Sequence, residues 1–213
     1  MKNLFAYDSP VMKLLQQFTD LIFLNLLWLL GCLPVFTIGA STAALYQCII
    51  RMRKNEEGRS CSYFWKFYKS NFKQATILFF VVALIIALTV IDVLVIVMFI
   101  PNTSIILKIL FLLPFLLVVP SLGYVFPLQA QFDNSVINTL KNAWSMSTIH
   151  FLVSIIVLGL NLVPFVIFFF YPEFFLRCVP IWLCLGGSVI AYANTALLQG
   201  VFVQYMPKED LSN

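Results

Sequence analysis

Long apolar runs, broken at intervals by short polar clusters, dominate this chain. The runs cover residues 18–33, 35–50, 74–99, 105–128, 151–171 and 179–205. An α-helix needs roughly 20 apolar residues to cross about 30 Å of hydrocarbon. Most runs meet that length. The second is marginal, and a re-entrant segment is its alternative reading. No run alternates apolar and polar residues in separate blocks of about ten, which disfavours a membrane barrel. The pattern therefore predicts an all-α, polytopic membrane helix bundle of about six transmembrane helices, forming one domain over residues 1–213.

Breakers and small residues refine these elements. Pro34 and Gly39 separate the first two runs. Gly39 with Ala43, and Ala40 with Ala44, form a small-xxx-small face of the kind that lets helices approach closely, and we expect it to close a tight hairpin with the first run. Residues 101–104 predict a short turn. Pro114, Pro120 and Pro127 fall in the fourth run, where proline removes backbone donors and favours kinks. Residues 172–178 read as a loop before the sixth run, which carries Gly186 and Gly187.

Two short stretches have helical amphipathicity instead. Phe64, Phe67, Tyr68 and Phe72 fall on one face, and Lys66, Lys69 and Lys73 on another. Aromatics opposite lysines suit a helix in the headgroup layer, as an anchor or as a contact for a partner or anionic lipid. Residues 135–146 repeat the pattern more weakly, with Asp133, Asn134 or Ser135 as candidate caps. Each stretch leads into a long apolar run. The two halves thus read as copies of one unit: interfacial helix, outward helix, return helix.

Composition confirms the solvent. Of 213 residues, 62% are hydrophobic and 10% charged, against about 25% charged in soluble domains. The charges are also placed unevenly. Lys2, Lys13, Arg51, Arg53, Lys54, Arg59, Lys66, Lys69, Lys73, Lys141 and Lys208 fall on one side of a six-crossing topology. Only Arg177 lies in an opposite loop, and Lys108 can snorkel from a helix end. By the positive-inside bias, the basic loop 51–73 and both termini are cytoplasmic. That loop is better matched to the inner leaflet than to nucleic acid.

Candidate chemistry is sparse. Asp92 is the one carboxylate well inside an apolar run, and intramembrane carboxylates are functional candidates by default. Asn25, Asn161, Asn194 and Gln199 are further polar residues in membrane runs; they either line a polar path with Asp92 or hydrogen-bond between helices. His150 has no second histidine nearby, so no metal site is expected. Cys32, Cys48, Cys61, Cys178 and Cys184 lack ligand spacing and read as small, reduced, mostly buried hydrophobes. No catalytic or nucleotide-binding motif occurs, so neither enzyme activity nor a cofactor is expected. The start of the chain only loosely resembles a signal peptide, and Leu29, Leu30, Gly31 and Cys32 a lipoprotein box. The apolar run continues past both, so cleavage is not expected.

One stretch carries a more specific pattern. Asn25-Leu26-Leu27-Trp28, then Leu33-Pro34-Val35-Phe36-Thr37-Ile38-Gly39-Ala40 and Ala43-Ala44-Leu45-Tyr46, resemble the signature of the YesL family of bacterial membrane proteins. Tyr63 to Phe67, Asn71 to Ala75, and the later Pro127, Leu128, Phe132 and Thr139 to Ala143 fit the same pattern. The resemblance is densest over residues 20–76. It implies a bacterial cell-membrane location and an accessory or regulatory role beside carbohydrate uptake systems of the ATP-binding-cassette type, with their membrane subunits as partners. A small independent transporter or channel, as a homo-oligomer, is the first alternative. A scaffold working through the basic loop is the second. The family has no agreed catalytic residues to carry over.

Overall fold

The computed structural model describes residues 10–54, 60–98 and 104–206, without the side chains of Pro10, Ser60 and Cys61. All regular structure in the described residues is helical. In chain order it comprises α1 (Pro10–Cys32), a 3-10 turn (Val35–Thr37), α2 (Ile38–Arg53), α3 (Ser60–Ser70), α4 (Phe72–Met98) and α5 (Ile105–Gln131). After these come α6 (Val136–Ile149), α7 (Phe151–Phe170), α8 (Pro172–Ile181), a π-helical segment (Trp182–Gly186) and α9 (Gly187–Phe202), which ends in a 3-10 turn (Val203–Tyr205). Six helical stretches are long and apolar enough to cross a membrane. The protein is thus an all-α polytopic membrane bundle.

Several boundaries move from the sequence expectation. The first helix is already formed at Pro10, the first described residue, rather than starting near residue 18, because no breaker interrupts residues 11–17. The loop expected at 172–178 is helix α8 instead. Pro172 occupies its first turn, where the missing N–H costs nothing, and Glu173 sits favourably at the positive end of the helix dipole. Phe175 packs edge-on to Phe168 of α7, at 5.3 Å between ring centroids, and against Trp182. α5 continues unbroken through Pro114, Pro120 and Pro127. Ser135 is the cap of α6, accepting a hydrogen bond from the Asn138 N–H. The turn at 101–103, residues 55–59 of the basic loop, and both termini with Lys2 and Lys208 lie outside the described residues.

α2 occupies the centre. Gly39, Ala40, Ser41, Ala43, Ala44, Leu45, Tyr46, Cys48, Ile49 and Ile50 are all buried. α1, α3, α4, α5 and α9 surround it. The small-residue face does not close the α1 hairpin as the sequence suggested. Gly39, Ala40 and Ala43 turn to α4, where Ala40 and Ala43 cluster with Ala75, and only Ala44 joins a cluster containing Leu24 of α1. A Cβ at position 39 would overlap the Ala75 carbonyl and lie 2.7 Å from the Phe79 Cβ. The hairpin with α1 is made by the polar flank of α2.

α3 also departs from expectation. It turns back along α2, and its aromatic face packs inward onto the α1–α2 hairpin. Phe64 is fully buried beside Leu24, Ala44 and Leu45, with Phe67 and Tyr68 packed on the same cluster. Trp65 is the outward aromatic of α3, and Lys66 and Lys69 are exposed. α6 turns back along α5 in the same manner, with Ala143 and Met146 in a cluster containing Tyr124, Val125 and Leu128. Glycine marks the corresponding contact in both halves: Gly39 meets α4, and Gly123 meets Val157 of α7.

The α1–α2 hairpin is short relative to its neighbours. Gly39 contacts α4 at Ala75 and Phe79, yet α4 runs on to Met98, about 28 Å further at 1.5 Å per residue. The turn itself is apolar and exposed at Leu33, Val35 and Phe36. Of the described cysteines Cys48 is buried, Cys32 and Cys178 are half-buried and Cys184 is exposed, so they are less buried than expected; none of the four is in a disulfide.

Two outcomes follow from this packing. Gly39→Val is expected to destabilise the bundle by about 2 kcal/mol or more, since a rigid side chain must displace the α4 backbone; thermal unfolding in detergent measures it. In a cysteine-free background, Leu33→Cys is expected to react with membrane-impermeant thiol reagents far more slowly than Tyr171→Cys. Equal rates would place the hairpin turn in water.

Candidate functional site

The densest polar constellation surrounds α2, and Asn25 of α1 anchors it. Its side chain is fully buried. Asn25 Nδ2 donates to the Leu183 carbonyl at 2.8 Å, and Asn25 Oδ1 accepts from the Ser188 N–H at 2.9 Å. Both partners are backbone groups, Leu183 inside the π-helical segment and Ser188 just beyond it. An amide inserted between a carbonyl and an N–H five residues apart takes over bonds the ladder would otherwise make, which accounts for the local π geometry. Gly187 makes the approach possible, since a Cβ there would lie 2.7 Å from the Trp28 ring and 3.1 Å from Asn25 Oδ1.

From this anchor a ladder of bonds follows α2. The Thr37 hydroxyl donates to the Gly31 carbonyl at 2.7 Å, and Ser41 to the Trp28 carbonyl at 2.8 Å. The Trp28 indole donates to Thr42 at 3.2 Å. Further along, Asn71 donates to Gln47 at 3.1 Å, and Asn194 Nδ2 donates to the Tyr46 hydroxyl at 3.1 Å. Arg53 closes the ladder, with Nε donating to Gln199 Oε1 at 2.8 Å and its guanidinium 5.0 Å from the Tyr192 ring centroid. Arg51 lies 4.3 Å from the Tyr63 ring centroid on α3. The two arginines sit in the last turn of α2, where positive charge complements the helix dipole.

The remaining sequence candidates do not join this seam. Asn161 Nδ2 donates to the Val157 carbonyl of its own helix at 2.7 Å. Asp92 lies on the second half of α4, about 20 Å along that helix from Phe79, and its Oδ2 is buried with no hydrogen-bond partner. The Asn194 Oδ1 is likewise buried and without a partner. Asp92, Asn25, Asn161 and Asn194 therefore do not line one path. A second small network lies elsewhere: Ser154 Oγ is 3.0 Å from the Tyr124 hydroxyl and 2.9 Å from the Ser147 carbonyl. No three His, Cys, Asp or Glu side chains come together among the described residues.

Sequence reasoning found Asn25 and Asn194 but missed their partners. Ser188 and Tyr46 carried no separate signal as their partners, and Gln199 stood out as an amide without its pairing to Arg53 being visible. Gly187 did carry one, as half of a glycine pair opposite the spaced Asn25 and Trp28. Lys66, Lys69 and Lys73 are exposed, while Gln74 of α4 donates to the Asn134 carbonyl at the α5–α6 turn.

Asn25→Ala is expected to leave the Leu183 carbonyl and Ser188 N–H unsatisfied, at a cost of about 1–3 kcal/mol. Asn25→Gln should not restore stability, because the longer amide cannot meet both groups beside Gly187. Detergent unfolding of the three proteins tests this, and an unchanged midpoint in Asn25→Ala would remove Asn25 as the anchor.

Comparison with known proteins bears on this same region. No curated protein and no solved structure matches the chain. The model of a family described as "Protein of unknown function, DUF624" matches residues 21–93. That stretch holds Asn25, Trp28, all of α2 and α3, and α4 as far as Asp92. DUF624 is the domain of YesL-type membrane proteins, and the chain is similar to it over the part where α1, α2, α3 and α4 lock together.

Proposed function

We propose that this chain is a non-enzymatic accessory or regulatory protein of a carbohydrate uptake system of the ATP-binding-cassette type. It acts in the bacterial cell membrane through helix–helix contact, with both termini in the cytoplasm. One observation carries the reading. The polar side chains of the α1–α2 region are spent on bonds inside the bundle, while the long faces of α4, α5 and α7 are apolar and exposed. Residues with no polar group left to offer a solute recognise other membrane helices instead. The sugar association rests on the resemblance to the YesL family. The cytoplasmic assignment rests on the bias of the basic residues.

The contacting face is not the Gly39–Ala44 stripe, which is buried. Leu84, Leu88, Ile91 and Val95 recur at helical spacing on α4, and all four are exposed. They form one such apolar stripe, and the partner contact is assigned to it.

A second reading is favoured by Asp92 alone. A buried carboxylate oxygen without a partner is costly in an apolar setting and suits a carrier of protons or cations. The two readings separate by experiment. The tagged chain, solubilised from native membranes in mild detergent, is expected to retain the membrane subunits of a sugar importer. Replacing Leu88 and Ile91 by Ala should weaken that retention, and Asp92→Asn should leave it intact with sugar uptake unchanged. Recovery of the chain alone as a discrete homo-oligomer, with ion flux in liposomes lost in Asp92→Asn, would establish the transporter instead.

A further inference from the structure

A groove of about 460 Å³ opens on the surface between α4, α5 and α6. Val81 and Ile85 of α4 form one wall, and Val118 and Leu122 of α5 the other. Lys141 and Trp144 of α6 line it from the side, and Ser121 supplies a hydroxyl that already donates to the Val118 carbonyl. The walls belong to membrane-spanning helices. The α6 side belongs to a short amphipathic helix, with Lys141 exposed and Trp144 partly so. The groove therefore joins an apolar depth to a cationic and aromatic rim, and no carboxylate lines it.

We propose that this groove binds an anionic phospholipid, one acyl chain lying between α4 and α5 and the phosphate resting on Lys141. The two walls are branched aliphatic side chains of adjacent membrane helices, and the opening is shallow, which suits a thin flexible chain lying along it. Chemistry excludes a sugar, which would find only the Ser121 hydroxyl and the Lys141 ammonium to bond. An indole beside a lysine is the side-chain pair that settles at the headgroup level. Charge selects the lipid class: a zwitterionic amine headgroup brings its own cation to Lys141, whereas a phosphatidylglycerol headgroup brings only negative charge.

The test uses the full chain reconstituted in vesicles of nine parts phosphatidylethanolamine to one part phosphatidylglycerol. After extraction in mild detergent, the lipids retained per chain are measured by mass spectrometry of the intact complex. We expect phosphatidylglycerol to be enriched about fivefold over its bulk share, the weight of one lysine near a phosphate. Lys141→Glu should abolish the enrichment. Val118→Trp, which fills the groove without touching the charge, should lower total retained lipid while helical content and elution volume stay unchanged. Retention of both lipids in the bulk ratio by the unaltered chain overturns the proposal. So does an enrichment that survives both substitutions, because it would then come from lipid bound elsewhere on the surface.

Discussion

Everything else in this bundle is arranged around the burial of one short helix. α2 has 16 residues, and most of its surface is covered by protein rather than lipid. Apolar burial against other helices gains little inside a membrane, because lipid tails are as apolar as leucine. Close packing and interhelical hydrogen bonds must supply the difference. α2 uses both, on separate flanks. Gly39, Ala40 and Ala43 let the α4 backbone approach. Thr37, Ser41, Thr42, Tyr46, Gln47 and Arg53 each bond to groups outside α2.

Asn25 extends that logic to the last helix. A helix passing α1 as a continuous α-helix would have its N–H groups paired internally, so it could offer the Asn25 amide an acceptor but no donor. The π segment releases one carbonyl and one N–H, and Asn25 takes both. Segments far apart in sequence are thereby joined by hydrogen bonds from a side chain to the backbone rather than by side-chain packing alone. A contact of that kind fixes register, since moving α9 by one residue would break both bonds together. Trp28 over Gly187 adds a steric lock to the same register.

The architecture was legible in the sequence because its cause is local. Apolar length and composition determine a membrane helix residue by residue, so all six long apolar helical stretches were found, most with small errors at their ends. The errors arose where helicity continued beyond the apolar run, at residues 10–17 and 172–178. In the second of these Pro172 marks a start that hydropathy does not register. The site was less legible. Asn25 and Asn194 stand out as amides in apolar runs, but their partners are a backbone segment in one case and Tyr46 in the other. The inward turn of Phe64 and Phe67 was also hidden. An amphipathic helix has the same pattern whether its apolar face meets lipid or a neighbouring hairpin, and only the course of α3 back along α2 distinguishes them.

The two halves repeat one arrangement and differ at one end of it. In each half a short amphipathic helix turns back along the preceding helix before the next long one departs, and a glycine marks the crossing. Gly123 is reached deep within α5, which begins at Ile105, whereas Gly39 is the second residue of α2. The first hairpin therefore lacks the stretch that α5 contributes before its glycine. α4 consequently has a long second half that α2 does not cover, and that half holds Asp92 with its buried oxygen unpaired. Among the described residues, the incomplete repeat thus leaves a buried carboxylate oxygen without a hydrogen-bond partner on a stretch of α4 that the short α2 does not reach.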